Sequence, residues 1–246
     1  MSSEIYIYAA IDGDEAVDLD PVGVGDPPGQ IRTHSYGDFR LVYSEVPGGK
    51  SALSLPDVRA HQSVVERLLV KHTVLPFSFG TFATGADSLD ELVRRAGQDI
   101  RVRLRELAGR VEMGLKVFWH PDVMRREVGL PTQPAVGVTA HHSEAIRVGQ
   151  LVEQRVSQWR EQYVPRITRM LAPLCDGTAE GEIVAPTMLW NASFLIHRDR
   201  QPKMRAVIER LDRQLGNRLD FRLAGPFPPY SFVNLRVAMG DEEALQ

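Results

Sequence analysis

Cysteine is nearly absent: Cys175 stands alone among 246 residues. A single thiol excludes an intramolecular disulfide framework and fits a reducing compartment. The opening Met1-Ser2-Ser3-Glu4 has neither the basic start nor the apolar run of a signal peptide. No uninterrupted apolar stretch approaches the roughly 20 residues that a membrane span needs, so no span is expected and the expected setting is the cytoplasm. Charge of one sign is also lacking. A net charge of −3 offers no electrostatic argument for nucleic acid or for an anionic membrane. Neither Gly-x-Gly-x-x-Gly after a strand nor Gly-x-x-x-x-Gly-Lys-Ser/Thr occurs, so nucleotide binding has no support.

What is present is ordinary globular composition, 43% apolar and 25% charged, from which a packed core follows. The length suits one large domain or two modest ones, with two favoured. The one local bias is acidic. Residues 1–30 carry seven acids and no base, most of them between Asp12 and Asp26 among prolines and glycines, a pattern that reads as a solvated loop.

Ile5–Ile11 is rich in β-branched and aromatic residues and too short for a helix, so it reads as a buried strand. Ile31–Tyr36 and Phe39–Val46 make two more strands about Gly37-Asp38. The period then turns helical. Val58, Val64, Val65, Leu68 and Leu69 share one face, with Asp57 placed to cap the start after Pro56. A second amphipathic helix runs from Leu89 to Leu107 and ends at Gly109, and Val111 to Trp119 alternates as a strand. Strands followed by helices and a further strand imply an α+β sheet with helices packed on one face, best matched by a ferredoxin-like variant over residues 1–120.

Residues 121–142 hold Pro121, Gly129, Pro131, Pro134 and Gly137 without clear periodicity and read as a linker. Residues 143–246 then form the second domain: a long helix through Val152, Trp159, Tyr163 and Ile167, followed by a smaller α+β unit. Pro165 falls inside that helix and predicts a kink or two abutting helices. Met188–Ile196 alternates as a strand, Met204–Leu215 is an amphipathic helix with Pro202 near its first turn, and Leu219, Phe221 and Leu223 mark the next strand.

Candidate chemistry is sparse. His61 and His72 share a helix face but stand about 16 Å apart along its axis, too far to bind one metal. The adjacent pair His141-His142 lacks helix-ligand spacing. His120, with Asp122 or Glu112, is a pairing a hydrolase could use, although the commoner explanation of Trp119-His120-Pro121-Asp122 is a strand exit with turn-forming residues. A regulatory module binding a small ligand is a third reading. Cys175 has no nucleophile signature and reads as a helix-end core residue. The arginines between Arg94 and Arg110 interleave with Asp90, Glu91, Asp99 and Glu106, as on a solvated face laced with ion pairs. No catalytic, cofactor or metal residues are therefore assigned.

Two segments stand apart, Val74–Phe82 and Gly225–Phe232, in which aromatic rings alternate with proline and glycine. Their candidate contact or docking residues are Leu75, Pro76, Phe77, Phe79 and Gly80 in the first, and Gly225, Pro226, Phe227, Pro228, Pro229, Tyr230 and Phe232 in the second. Each segment either packs within its own domain or offers a rigid apolar surface to a partner.

Five motifs in order carry a resemblance: Tyr6-Ile7-Tyr8; His61-Gln62-Ser63-Val64-Val65-Glu66; the Val74–Phe82 stretch; Glu112-Met113-Gly114-Leu115-Lys116; and the closing Gly225–Phe232. Together they resemble the gas vesicle protein L/F family (GvpL/GvpF), in its GvpF-like form, over nearly the whole chain. Ser78 and Phe227 depart from it, where the family often has Arg and Trp. The resemblance implies an accessory or minor structural component needed for gas vesicle assembly. It implies an N-terminal modified ferredoxin-like domain, a C-terminal α+β domain and no catalytic residues. It further implies association with the vesicle and, as partners, the hydrophobic GvpA-type shell protein, engaged early to limit its aggregation, and other gas vesicle accessory proteins.

Overall fold

The computed structural model describes residues 3–13, 17, 23–83, 87–129 and 142–233. It is an α+β protein, with two sheets and five α-helices among the described residues. The chain divides into two compact units, one formed by Met1–Glu112 with Phe227–Gln246 and the other by Met113–Pro226. The sequence expectation put one boundary after residue 120; this division falls inside a strand, and the chain re-enters the first unit near its end.

In the first unit, β1 (Ser3–Asp12) is the hub. It pairs antiparallel with β3 (Phe39–Pro47), which pairs in turn with β2 (Arg32–Ser35). The helix α1 (Leu55–Lys71) buries His61, Val64, Val65, Leu68 and Leu69, positions spaced so that one face meets the core. Its N-cap is Ser54 rather than Asp57. Asp57 sits at the third helical position and completes a reciprocal capping box, which satisfies two end groups at once. Then β4 (Val74–Pro76) and β5 (Phe82–Ala83) both pair with the free edge of β1, at opposite ends of it. α2 (Asp87–Leu107) follows, its outer face joined by Glu91 to Arg94 and Arg95 and by Arg103 to Glu106 at 2.8 Å.

The acidic opening loop is only partly within the described residues; at its described end Asp26, Pro27 and Pro28 are exposed, while the residues just before them are tied down. Val24 is fully buried, its N–H donates to the Tyr8 hydroxyl at 2.9 Å, and the Gly25 N–H donates to Asp57 at 2.7 Å.

In the second unit the sheet order is β7 (Cys175–Glu180), β8 (Met188–His197), β6 (Arg110–Trp119), β9 (Leu219–Phe227). Thus β6, read from its neighbours as part of the first sheet, is an inner strand of the second. Its alternation specified a strand but not its partners, because pairing is decided by contacts distant in sequence. The stretch read as a linker is not without local structure. Residues 121–127 form the short helix α3 (Pro121–Glu127), capped at His120 and anchored by buried Met124, while residues 130–141 lie outside the described set.

The helix α4 (His142–Leu171) runs on through Pro165 instead of dividing there. Pro165 and Glu161, whose carbonyl it leaves without a helical donor, are both exposed, so water can serve that group. Trp159, Tyr163, Ile167 and Leu171 are buried along one face, and α5 (Gln201–Leu215) buries Met204, Ile208, Leu211 and Leu215. Cys175 is the first residue of β7, partly exposed. Burial and the nearby Asp176 push its thiol up to about 11, and Sγ donates to the Leu171 carbonyl at 3.1 Å.

Candidate partner-contact site

Around His61 in the first unit meet Tyr6 and Tyr8, Phe79 and Tyr230, from three other family-like motifs, and Glu112 of the remaining motif holds Ser231. The strand β1 alternates, so Tyr6 and Tyr8 point to the same face, toward α1. His61 lies on the buried face of α1, 2% exposed, with both tyrosines fully buried beside it. The Tyr6 hydroxyl is 2.8 Å from His61 Nδ1 and accepts the Gly80 N–H at 3.2 Å; His61 Nε2 is 3.0 Å from the Tyr230 hydroxyl. Tyr8 reaches Ser44 Oγ at 2.8 Å.

A neutral imidazole supplies one donor and one acceptor, and a hydroxyl can take either role, so the two tyrosines serve His61 in either tautomer. Protonation would require both ring nitrogens to donate in a desolvated setting. Burial accordingly lowers the His61 pKa to about 4, opposed in part by the Phe77 backbone, and burial raises those of Tyr6, Tyr8 and Tyr230. Over the physiological range the whole cluster is uncharged.

Phe79 and Tyr230 roof this pivot. The Phe79 ring centroid lies 5.9 Å from that of His61 and 6.1 Å from that of Tyr6, and Tyr230 lies 6.3 Å from His61. Both roof residues are more than a third exposed, at 39% and 37%. Gly80, at φ +83°, makes the turn that lifts Phe79 out of line with β4, a conformation that L side chains rarely adopt. The Thr81 N–H and hydroxyl both donate to the Ser78 carbonyl and close that turn.

The final segment is held by side chains. Glu112, 7% exposed, accepts the Ser231 N–H at 2.9 Å and the Ser231 hydroxyl at 2.7 Å. A carboxylate taking two donors is a strong fixing point. It holds the 3-10 turn Tyr230–Phe232 in register with His61.

The twelve candidate residues therefore occupy different settings. Leu75, Pro76, Phe77, Pro228 and Pro229 are buried, Gly80 and Phe232 are half-buried, and Phe79, Phe227 and Tyr230 are exposed. Gly225 and Pro226 end the second unit, where the Gly225 carbonyl accepts from Arg205 at 3.3 Å. The hub residues Tyr6, Tyr8, His61 and Glu112 were not among the candidates. Each lay inside a motif, but residue types on a strand and a helix face do not disclose that they meet. The groups weighed for hydrolysis are engaged elsewhere: Glu112 holds Ser231, and His120 Nε2 lies 3.0 Å from the Gly216 carbonyl.

The family model described as "Gas vesicle synthesis protein GvpL/GvpF" matches residues 4–234, and the chain belongs to that family. It is 28% identical over 247 residues to gas vesicle protein F2 of Halobacterium salinarum, a match covering 99% of this chain and 97% of the other. It is 25% identical over 240 residues to gas vesicle protein F of Haloferax mediterranei, covering 96% of each. The crystal structure of the gas vesicle protein GvpF from an Anabaena species shares the fold, with a TM-score of 0.73 at 24% identity over 94% of this chain and 98% of that one. Among the described residues no helix is long and apolar enough to cross a membrane.

Proposed function

We propose that this chain is a non-enzymatic accessory protein of gas vesicle assembly, working in the cytoplasm at the forming vesicle. In this reading it binds the small hydrophobic shell protein early, limits its aggregation, and acts alongside other gas vesicle accessory proteins. The family match along almost the whole chain carries the reading. A shell subunit bound for a gas-facing wall exposes apolar surface before it assembles, and uncovered patches of that kind aggregate. The rings of Phe79 and Tyr230, each set against His61, support a covering role. They are apolar, accessible, and held against a rigid hydrogen-bonded base, so little side-chain freedom is lost on contact.

Co-purification of shell protein with the wild-type chain, and its loss in a folded Phe79→Ala, Tyr230→Ala double variant, is the expected outcome. Undiminished capture by that variant would refute direct contact through these rings. Deletion of the gene is expected to abolish buoyant cells, and normal vesicles in the deletion strain would refute the role in assembly.

A further inference from the structure

The charge of the chain is unevenly divided. Between Met113 and Pro226 there are 16 Lys and Arg against 12 Asp and Glu, so the second unit is net positive inside a chain whose total is −3. Part of this positive charge gathers around a depression on that unit's surface, lined by Val123, Arg126 and Glu127 of α3 and by Asn217 and Arg218 of the turn before β9. Arg218 is prearranged there. Its Nη2 lies 3.2 Å from Glu127, and its Nη1 donates to the Tyr163 hydroxyl at 3.1 Å. Arg155 approaches the other Glu127 oxygen at 3.7 Å. Arg126 is exposed. Two guanidinium groups, of Arg155 and Arg218, thus reach the Glu127 carboxylate, and with Arg126 also in the lining the arginines of the depression outnumber its one acid.

We propose that this depression docks an acidic, partly apolar peptide segment of a partner protein. The guanidinium forks of Arg126 and Arg218 match carboxylates in shape as well as in charge. Asn217 can both donate to and accept from a peptide backbone, Glu127 can accept a peptide N–H, and Val123 offers contact to an aliphatic side chain. Glu127 also selects against a nucleic-acid strand. Successive phosphates following the groove would meet its carboxylate, whereas a peptide can alternate acceptors with donors. The proposal is independent of the role assigned to Phe79 and Tyr230.

Fluorescence anisotropy with a short labelled peptide of alternating glutamate and leucine tests it. The wild-type chain should bind, binding should weaken as salt rises, and the lysine-for-glutamate version of the peptide should not bind. Arg126→Glu should weaken binding by about tenfold, and Arg218→Lys, which keeps the charge but loses the fork, by about threefold. Lys203→Glu, an exposed reversal elsewhere on the unit, should change it by less than about twofold. Unchanged melting temperatures would verify that the variants fold. Failure of the wild type to bind, equal weakening by Arg126→Glu and Lys203→Glu, or equal affinity for a short oligothymidylate would each overturn the proposal. Self-association of the wild type that Arg126→Glu abolishes would replace the partner by a second copy and overturn it too.

Discussion

The two aromatic, proline-bearing segments meet the same histidine, and they are held there by different forces. The first, Val74–Phe82, is backbone-bound. On either side of its Ser78–Gly80 turn it pairs with β1, and the Phe77 N–H donates to the Tyr8 carbonyl while the Ile7 N–H donates to that of Thr81. The second leaves β9 at Phe227, and among the described residues its stretch from Pro228 to Phe232 has no sheet partner. It depends on His61, on Glu112 and on two buried prolines. A ladder-bound segment tolerates side-chain change at its exposed positions, whereas one hung from side chains can be released by a single substitution far away in sequence. That contrast makes the second segment the adjustable half of the aromatic roof.

The largest test of the contrast is truncation of one ring in each segment. Phe77, 5% exposed, lies in the core of the first, and Phe77→Ala should lower unfolding stability by about 3–5 kcal/mol. Phe227, 36% exposed, should cost less than about 1 kcal/mol on the same change. Chemical denaturation measures both, and equal losses would mean that the second segment is packed as tightly as the first.

Next in size is the pH response. His61 has a folded pKa of about 4, below its usual 6.5. Above pH 6.5 the ring is neutral in both folded and unfolded chains, and its contribution to stability is fully present. As the pH falls from there toward 4, the unfolded chain takes up the proton first and stability drops, by about 2–3 kcal/mol at pH 4.5. In His61→Gln this difference between pH 7 and pH 4.5 should shrink by that amount. An identical pH dependence in variant and wild type would show that His61 is not held neutral.

Smaller effects separate the two anchors of the second segment. Glu112→Gln turns one carboxylate acceptor into an amide donor facing Ser231, and should cost about 2 kcal/mol with faster amide exchange confined to residues near Ser231. Tyr230→Phe removes only the bond to His61 and should cost about 1 kcal/mol, leaving Ser231 protected. Loss of Ser231 protection in Tyr230→Phe would make His61 the main anchor and Glu112 the lesser one.

Much of the architecture was legible because its signals are local. The repeats of Val64, Val65, Leu68 and Leu69, and of Met204, Ile208, Leu211 and Leu215, place α1 and α5 by period alone. Other elements carried no such signal. β7 reads Cys-Asp-Gly-Thr-Ala-Glu, an edge strand with too few apolar side chains to show alternation. The helix α3 is short and lies in a stretch punctuated by proline and glycine. At Pro165 a local rule pointed to a kink or to two abutting helices, and at that exposed position the helix does not divide. For the candidate site, the two aromatic segments were visible as composition, yet nothing in the motif that opens with His61 showed that this histidine joins them.

Local order in this protein, its helix faces, its strands and its capping box, was written in short stretches of chain, because such elements depend on neighbours only a few residues away. The membership of β6 in the second sheet, the return of the last segment to the first unit, and the meeting of Tyr6, His61 and Tyr230 were settled only by the folded chain. Those arrangements join residues as many as 224 positions apart, the separation of Tyr6 from Tyr230, and no local pattern specifies which distant partner will satisfy a buried polar group.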